Sequence, residues 1–179
     1  DPDDPQLLGS LGNCLTDLDE FIEAETVYRS AVALNPDHAG AAYNLALFLL
    51  RAGILDEGLK YYESRWQLPG WRRRPFSAKM WSGELSDLEG KRILVWGEQG
   101  LGDEILFSGN LQALVNAGAQ VTLECEARLV PLMQRSWPDI SIYPALDPVD
   151  TELQGQYFDL QTPIGSLPYL LGVTSSREF

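Results

Sequence analysis

The sequence predicts two architectures in series: helical hairpins, then a parallel α/β domain. Three observations lead there. A 34-residue self-similarity runs through the first third of the chain, with Leu11 answered by Leu45 and Tyr28 by Tyr62. From residue 91 onward, short apolar runs alternate with segments of helical spacing. Between the two lies a stretch rich in tryptophan, arginine, proline and glycine, unlike the Gly/Ser-rich or charged composition of a free linker.

The 179 residues suffice for one large domain or two small ones, and a 45% hydrophobic content supports a sizeable core. A formal net charge of −13 argues against a general nucleic-acid binder, which needs a basic face to displace counterions. It argues equally against an anionic membrane surface. No apolar run approaches the ~20 residues of a membrane span, and no signal peptide is visible. Cys14 and Cys125 stand in unrelated contexts, which suits a reducing compartment, so a cytoplasmic location is expected. With His38 as the single histidine, no metal cluster and no cofactor motif are visible. The patternless "SSREF" is set aside, and the chain is expected to be part of a longer protein.

The repeat spans residues 5 to 68. Leu8 maps to Ala42, Gly12 to Ala46, Leu15 to Leu49 and Ala24 to Gly58. Small residues at 12, 24, 31, 46 and 58 let helix backbones approach, while Leu11, Tyr28, Leu45 and Tyr62 fill the seams between helices. Pro36 ends the first copy because proline cannot continue a helix. Arg65 and Gly70 break the pattern of the second copy, so the array is expected to stop there. The positions Leu8, Leu11, Gly12, Leu15, Ala24, Tyr28, Ala31 and Pro36 resemble a tetratricopeptide (TPR) unit. Such arrays hold peptides on a concave face, and the resemblance places Asn13, Thr16, Tyr43 and Leu47 on it. The alternative for these four is contact with a neighbouring repeat.

Residues 69 to 90 form an aromatic and basic connector. Arg72, Arg73 and Arg74 are the basic run of an acidic chain. They are a candidate anion site, for a phosphate or a carboxylate-rich partner. Alternatively they pair with acidic faces nearby while the tryptophans are buried.

Residues 91 to 175 read as a partial Rossmann-like domain. "KRILVWG" is a buried strand, "DEILFSGNLQALVNAG" a helix stopped at Gly118, and "QVTLECE" a second strand. "RLVPLMQRSW" is helical, "ISIYPA" and "YFDLQTPIG" are strands, and "SLPYLLG" is a short helix. That gives at most about four parallel strands joined by right-handed crossovers.

The loop "GEQGLGDE" at 97–104 follows the first of these strands, where open α/β sheets bind ligands. A phosphate-cradling loop would end Gly-Lys-Ser/Thr, yet here Gly102 is followed by Asp103 and Glu104. A dinucleotide fingerprint would place a third glycine at 105, which is Ile105. What remains is a carboxylate at a helix start. Asp103 there either complements the helix dipole, by about 0.3–1 kcal/mol, or serves as a general base for a substrate hydroxyl.

Trp81, Gly83, Gly90 to Val95 and Glu98 to Ile105 together resemble the glycosyltransferase segment of bacterial TPR proteins. That segment is similar to glycosyltransferase family 9, the heptosyltransferases. "YESRW" and "GAQVTLECEARLVPLM" fit the same proteins. The resemblance implies a GT-B enzyme, with two Rossmann-like domains facing a cleft and the nucleotide-sugar donor in the second. It makes Asp103 the catalytic base of an inverting transfer, with Glu98, Gln99, Gly100 and Gly102 shaping the acceptor pocket and no metal required. The donor domain is not in this chain, so the fragment by itself is expected to be inactive. Two other readings stay open: a non-catalytic TPR interaction scaffold with a glycosyltransferase-like cap, and an O-GlcNAc-transferase-like protein modifier. Expected partners are a protein or peptide in the TPR groove, a nucleotide-sugar in the full-length protein, and a second copy of the chain through an open sheet edge or the open repeat end.

Overall fold

A computed structural model describes residues 4–98 and 100–175. The chain divides between Arg72 and Arg73 into two compact units, helical before the division and α/β after it.

The first unit contains α1 (Pro5–Asp17), α2 (Phe21–Leu34), α3 (Ala39–Arg51) and α4 (Leu55–Tyr62). Asp4 caps α1 by accepting the Gln6 N–H, and His38 caps α3 through Nδ1 and the Ala41 N–H. The turn between paired helices needs one left-handed residue, supplied by Asp19 (φ 61°) in the first hairpin and by Gly53 (φ 78°), 34 residues on, in the second. Ala24, Tyr28, Leu45, Phe48 and Leu49 form one core cluster, so α2 and α3 are sealed together across the repeat boundary. Gly12 is required there, because a Cβ would lie 2.5 Å from the Tyr28 ring.

The second hairpin closes on itself. After α4 the chain tightens into a 3₁₀ turn, Glu63–Gln67. Arg65 is fully buried, with its guanidinium carbon 4.5 Å from the ring centroids of both Tyr62 and Trp66. Tyr43 stacks on Tyr62, and Trp71 meets the edges of Tyr43 and Trp66. The residue that breaks the repeat pattern is thus the centre of an aromatic cap.

The second unit is built on five parallel strands: β1 (Lys79–Met80), β2 (Arg92–Trp96), β3 (Gln120–Cys125), β4 (Ser141–Pro144) and β5 (Leu160–Pro163), in the order β1-β5-β2-β3-β4. The sheet has one strand more than the sequence predicts, and the extra one, β1, comes from the connector. The central β2 has Ile93, Leu94, Val95 and Trp96 fully buried, as a parallel strand covered on both faces must. Gln161 on β5 ties the middle of the sheet to the connector. Its Oε1 accepts the Trp96 indole N–H, and its Nε2 donates to the carbonyls of Phe76 and Ala78.

The helix predicted over 103–118 is two helices, α5 (Leu101–Ser108) and α6 (Leu111–Asn116). Ser108 Oγ donates to the Ile105 carbonyl, and Asn110 Nδ2 to that of Phe107. These side chains satisfy carbonyls of the last α5 turn and break the helix at Gly109. The remaining helices are α7 (Val130–Ser136), α8 (Thr151–Gln154) and α9 (Leu167–Leu170). Among the described residues, no helix is long and apolar enough to cross a membrane.

Candidate functional site at the carboxyl ends of the strands

The loop after β2 enters α5 through Gly100, which caps it with extended backbone and no side-chain bond. Asp103 and Glu104 both fall in the first turn, and both of their N–H groups reach the Gly100 carbonyl at 3.1 Å.

The carboxylates of this loop have separate uses. Glu104 turns inward and is 3% exposed. Its Oε2 accepts the backbone N–H of Glu126, just beyond β3, at 2.9 Å. Its Oε1 lies where a Cβ on Gly97 would stand, so glycine is required at 97. Burial, foremost, lifts the Glu104 carboxyl to about 7. The bond from Glu126 opposes the shift, and the charges of Glu126, Glu124 and Glu98 add to it. Glu98 reaches the other way, and its Oε1 accepts the Gly165 N–H after β5 at 2.8 Å. Through these two residues the loop is tied to the neighbouring strand ends on both sides.

Asp103 is half-buried and, among the described residues, its side chain makes no hydrogen bond. A Cβ on Gly102 would meet nothing within 4 Å, and one on Gly100 would touch only Asp103 Oδ2, at 3.5 Å. Neither glycine has a positive φ. A Cβ at either position is therefore accommodated among the described residues, and the backbone itself does not demand glycine there. Gln99 lies outside the described residues.

Within the basic run, Arg74 pairs with a buried carboxylate. Its Nε and Nη2 donate to both oxygens of Glu124 on β3, at 2.8 and 2.6 Å, and Nη2 also reaches the Leu146 carbonyl. Glu124 is completely buried, and burial raises its carboxyl against the pull of Arg74. Arg72 and Arg73 are exposed. Cys125, between Glu124 and Glu126, is buried with its thiol pushed up to about 12, chiefly by desolvation, which disfavours the thiolate form. Among the described residues no cluster could hold a metal ion.

The four residues assigned to a concave helical face have different surroundings. Asn13 is exposed, and its Oδ1 accepts the Tyr28 hydroxyl at 2.7 Å. Thr16 is buried and donates to the Gly12 carbonyl. Tyr43 belongs to the aromatic cap, and Leu47 is 46% exposed. A cavity of about 430 Å³ lies in the α/β unit at the opposite, amino-terminal end of the strands, lined by Phe76, Lys79, Gln156, Tyr157 and Asp159 among others. Its position separates it from the loop chemistry.

No family model matches the chain. It is 36% identical over 119 residues to Protein FlbA of Caulobacter vibrioides, a match covering 59% of this chain and 18% of that protein. It is 42% identical over 52 residues to Protein POLLENLESS 3-LIKE 2 of Arabidopsis thaliana, covering 29% of this chain and 12% of that one. The matched stretches thus span less than a fifth of either relative. Among solved structures, an O-GlcNAc transferase mutant of Thermobaculum terrenum superposes with a TM-score of 0.34 at 19% identity, over 85% of this chain and 36% of that one.

Proposed function

We propose that this chain is part of a bacterial, cytoplasmic TPR-containing glycosyltransferase of the heptosyltransferase kind, and that the 97–104 loop is the acceptor half of its site. Asp103 is the general base. It takes the proton of an acceptor hydroxyl as that oxygen attacks the anomeric carbon from the face opposite the leaving nucleotide. The bond to the nucleotide's phosphate oxygen breaks, its electron pair leaves with the nucleotide, and the anomeric configuration inverts. Donor phosphates belong on the part of the protein outside this chain, because a loop with three carboxylates and no lysine repels them. The helical unit presents the acceptor or a partner protein.

One observation carries the reading. Of the three carboxylates in the loop, Glu98 and Glu104 hold backbone N–H groups of neighbouring loops, whereas the side chain of the half-buried Asp103 makes no hydrogen bond among the described residues and lies beside two glycines whose backbone does not demand glycine. The test is Asp103→Asn in the full-length protein. Sugar transfer is expected to fall by about 10²–10⁴-fold in kcat, with partner binding through the helical unit unchanged. Undiminished turnover removes Asp103 as base. A wild-type protein that binds partners but hydrolyses and transfers no nucleotide-sugar returns the scaffold reading.

A further inference from the structure

The cavity at the amino-terminal ends of the strands measures about 430 Å³, within the range of about 300–1,000 Å³ that holds small molecules. One wall is the connector, residues 75–79, and the other is the chain running from α8 into β5, residues 153–159. Both walls are pinned from behind. Gln161 holds the carbonyls of Phe76 and Ala78 on the first. On the second, Gln156 accepts from Arg92 Nη2 at 3.0 Å and donates to the Tyr143 hydroxyl at 2.8 Å. Asp159 beside it accepts the Arg92 N–H at 2.9 Å. The sheet thus fixes both walls before any ligand arrives.

Several groups that line it have unused bonding capacity. Ser77, Lys79 and Gln154 are exposed, and their side chains make no hydrogen bond or ion pair among the described residues. Tyr157 is 69% exposed, and its hydroxyl donates to Asp159 Oδ1 at 3.4 Å. The lining carries one cation, Lys79, and one anion, Asp159, so its charges balance within a chain of net charge −13. A phosphate calls for a cluster of guanidinium or ammonium groups, and here it would also meet the Asp159 carboxylate. A wholly apolar ligand would desolvate Ser77, Lys79 and Gln154 and give them nothing to bond. A polyhydroxylated ring suits the lining. Each hydroxyl both donates and accepts, so it answers a carboxylate, an ammonium or an amide without bringing charge. A pyranose adds a face of C–H groups, which lies well on the electron-rich face of an aromatic ring.

We propose that this cavity is a carbohydrate-binding subsite, in which a neutral pyranose lies against Tyr157 and its hydroxyls are held by Lys79, Asp159, Gln154 and Ser77. The assignment goes beyond the sugar-transfer reading and needs no role for Asp103. The subsite binds saccharide at the strand ends opposite the 97–104 loop and takes no part in bond making.

The test uses the 179-residue chain, which holds the whole cavity. Saturation-transfer difference NMR is run with methyl β-glucopyranoside, methyl β-galactopyranoside and methyl N-acetyl-β-glucosaminide. At least one of these is expected to receive saturation, most strongly at the ring protons of one face. Tyr157→Ala and Lys79→Ala should each raise its Kd by at least about tenfold. Both side chains are exposed, so the two variants should match the wild type in far-UV circular dichroism. Tyr157→Phe keeps the ring and should retain binding. Tyr169→Ala, at an exposed tyrosine outside the cavity, should leave it unchanged. Failure of every pyranoside to receive saturation overturns the proposal, and so does binding that persists in either alanine variant. Ribose 5-phosphate binding more tightly than each pyranoside assigns the cavity to a phosphate and overturns it as well.

Discussion

Glu104 accepts the backbone N–H of Glu126 at 2.9 Å and so fastens the first turn of α5 to the chain leaving β3. The bond sets the direction of the whole turn. With Glu104 and Phe107 facing inward, Asp103 is half-buried, and Ile105 and Leu106 stay 46% and 51% exposed. A charged acceptor for a backbone N–H is a strong anchor, yet burial opposes its charge.

That opposition gives stability a pH dependence. The Glu104 carboxyl is raised to about 7 from 4.5, so between those values the folded chain holds more proton than the unfolded chain. Its contribution is fully present below the unfolded value and is lost as pH rises through 7. The full swing is on the order of 3 kcal/mol. Glu104→Gln keeps an oxygen for the Glu126 N–H and cannot ionise. Urea midpoints at pH 5.5 and pH 8 should therefore differ less in Glu104→Gln than in the wild type, with the variant the more stable at pH 8. An unchanged difference would show that Glu104 does not titrate in this range.

The glycines of the loop should respond in opposite directions. Gly97→Ala drives a methyl into the buried Glu104 carboxylate, which can move aside only by giving up the bond from the Glu126 N–H. A loss of about 1–3 kcal/mol is expected, as for other overpacked sites. Gly102 lies in the helix with nothing near its Cβ position, so Gly102→Ala should gain about 0.5–1 kcal/mol from helix propensity. Thermal melts of the two variants separate the glycine the fold needs from the one it does not.

Much of the architecture is legible in the sequence because its signals are periodic. The 34-residue register predicts both hairpins, and the unbroken apolar run at 93–96 marks the central strand. What is hidden is what periodicity does not encode. The two-residue strand β1 is held by main-chain pairing with β5 and by Gln161, whose bond to the Ala78 carbonyl spans 83 residues of chain, and Lys79–Met80 has no pattern of its own. Ile105 and Leu106 have core-like spacing and still face outward, because the pull of Glu126 on Glu104 decides the rotation of α5. In the loop, sequence shows three carboxylates and not which of two adjacent ones is buried. The one available cue was Gly97, a small residue placed where a side chain must turn back under the strand end.

The basic run should divide sharply under mutation. Arg74 neutralises a completely buried carboxylate, Glu124, through two parallel hydrogen bonds. Arg74→Ala leaves that charge unpaired, and a loss of about 3 kcal/mol is expected. Adding Glu124→Gln should recover part of it, because the stranded charge is then gone. Arg72→Ala, at an exposed position, should stay within about 0.5 kcal/mol of wild type. Chemical denaturation of the three single variants and the double variant provides the cycle, and equal effects at 72 and 74 would contradict the paired geometry.

Arg65 tests how the repeat array is terminated. Its guanidinium is fully buried against the rings of Tyr62 and Trp66, donates to the Tyr62 carbonyl and pairs with Glu63 at 2.6 Å. A planar, weakly hydrated cation can lie against two aromatic faces and still use its edge for hydrogen bonds. A lysine ammonium has the charge without the plane, and its stronger hydration makes burial costlier. Arg65→Lys should therefore lose about 2 kcal/mol despite conserving charge, and Arg65→Ala about 3–5 kcal/mol through the cavity and the stranded carbonyl. Tryptophan fluorescence reports on the same place, since Trp66 and Trp71 meet edge to face beside Arg65. A red shift in Arg65→Lys is expected from water entering the cap. If the lysine variant matches wild type in both stability and emission, charge alone holds the cap and the stacking adds nothing.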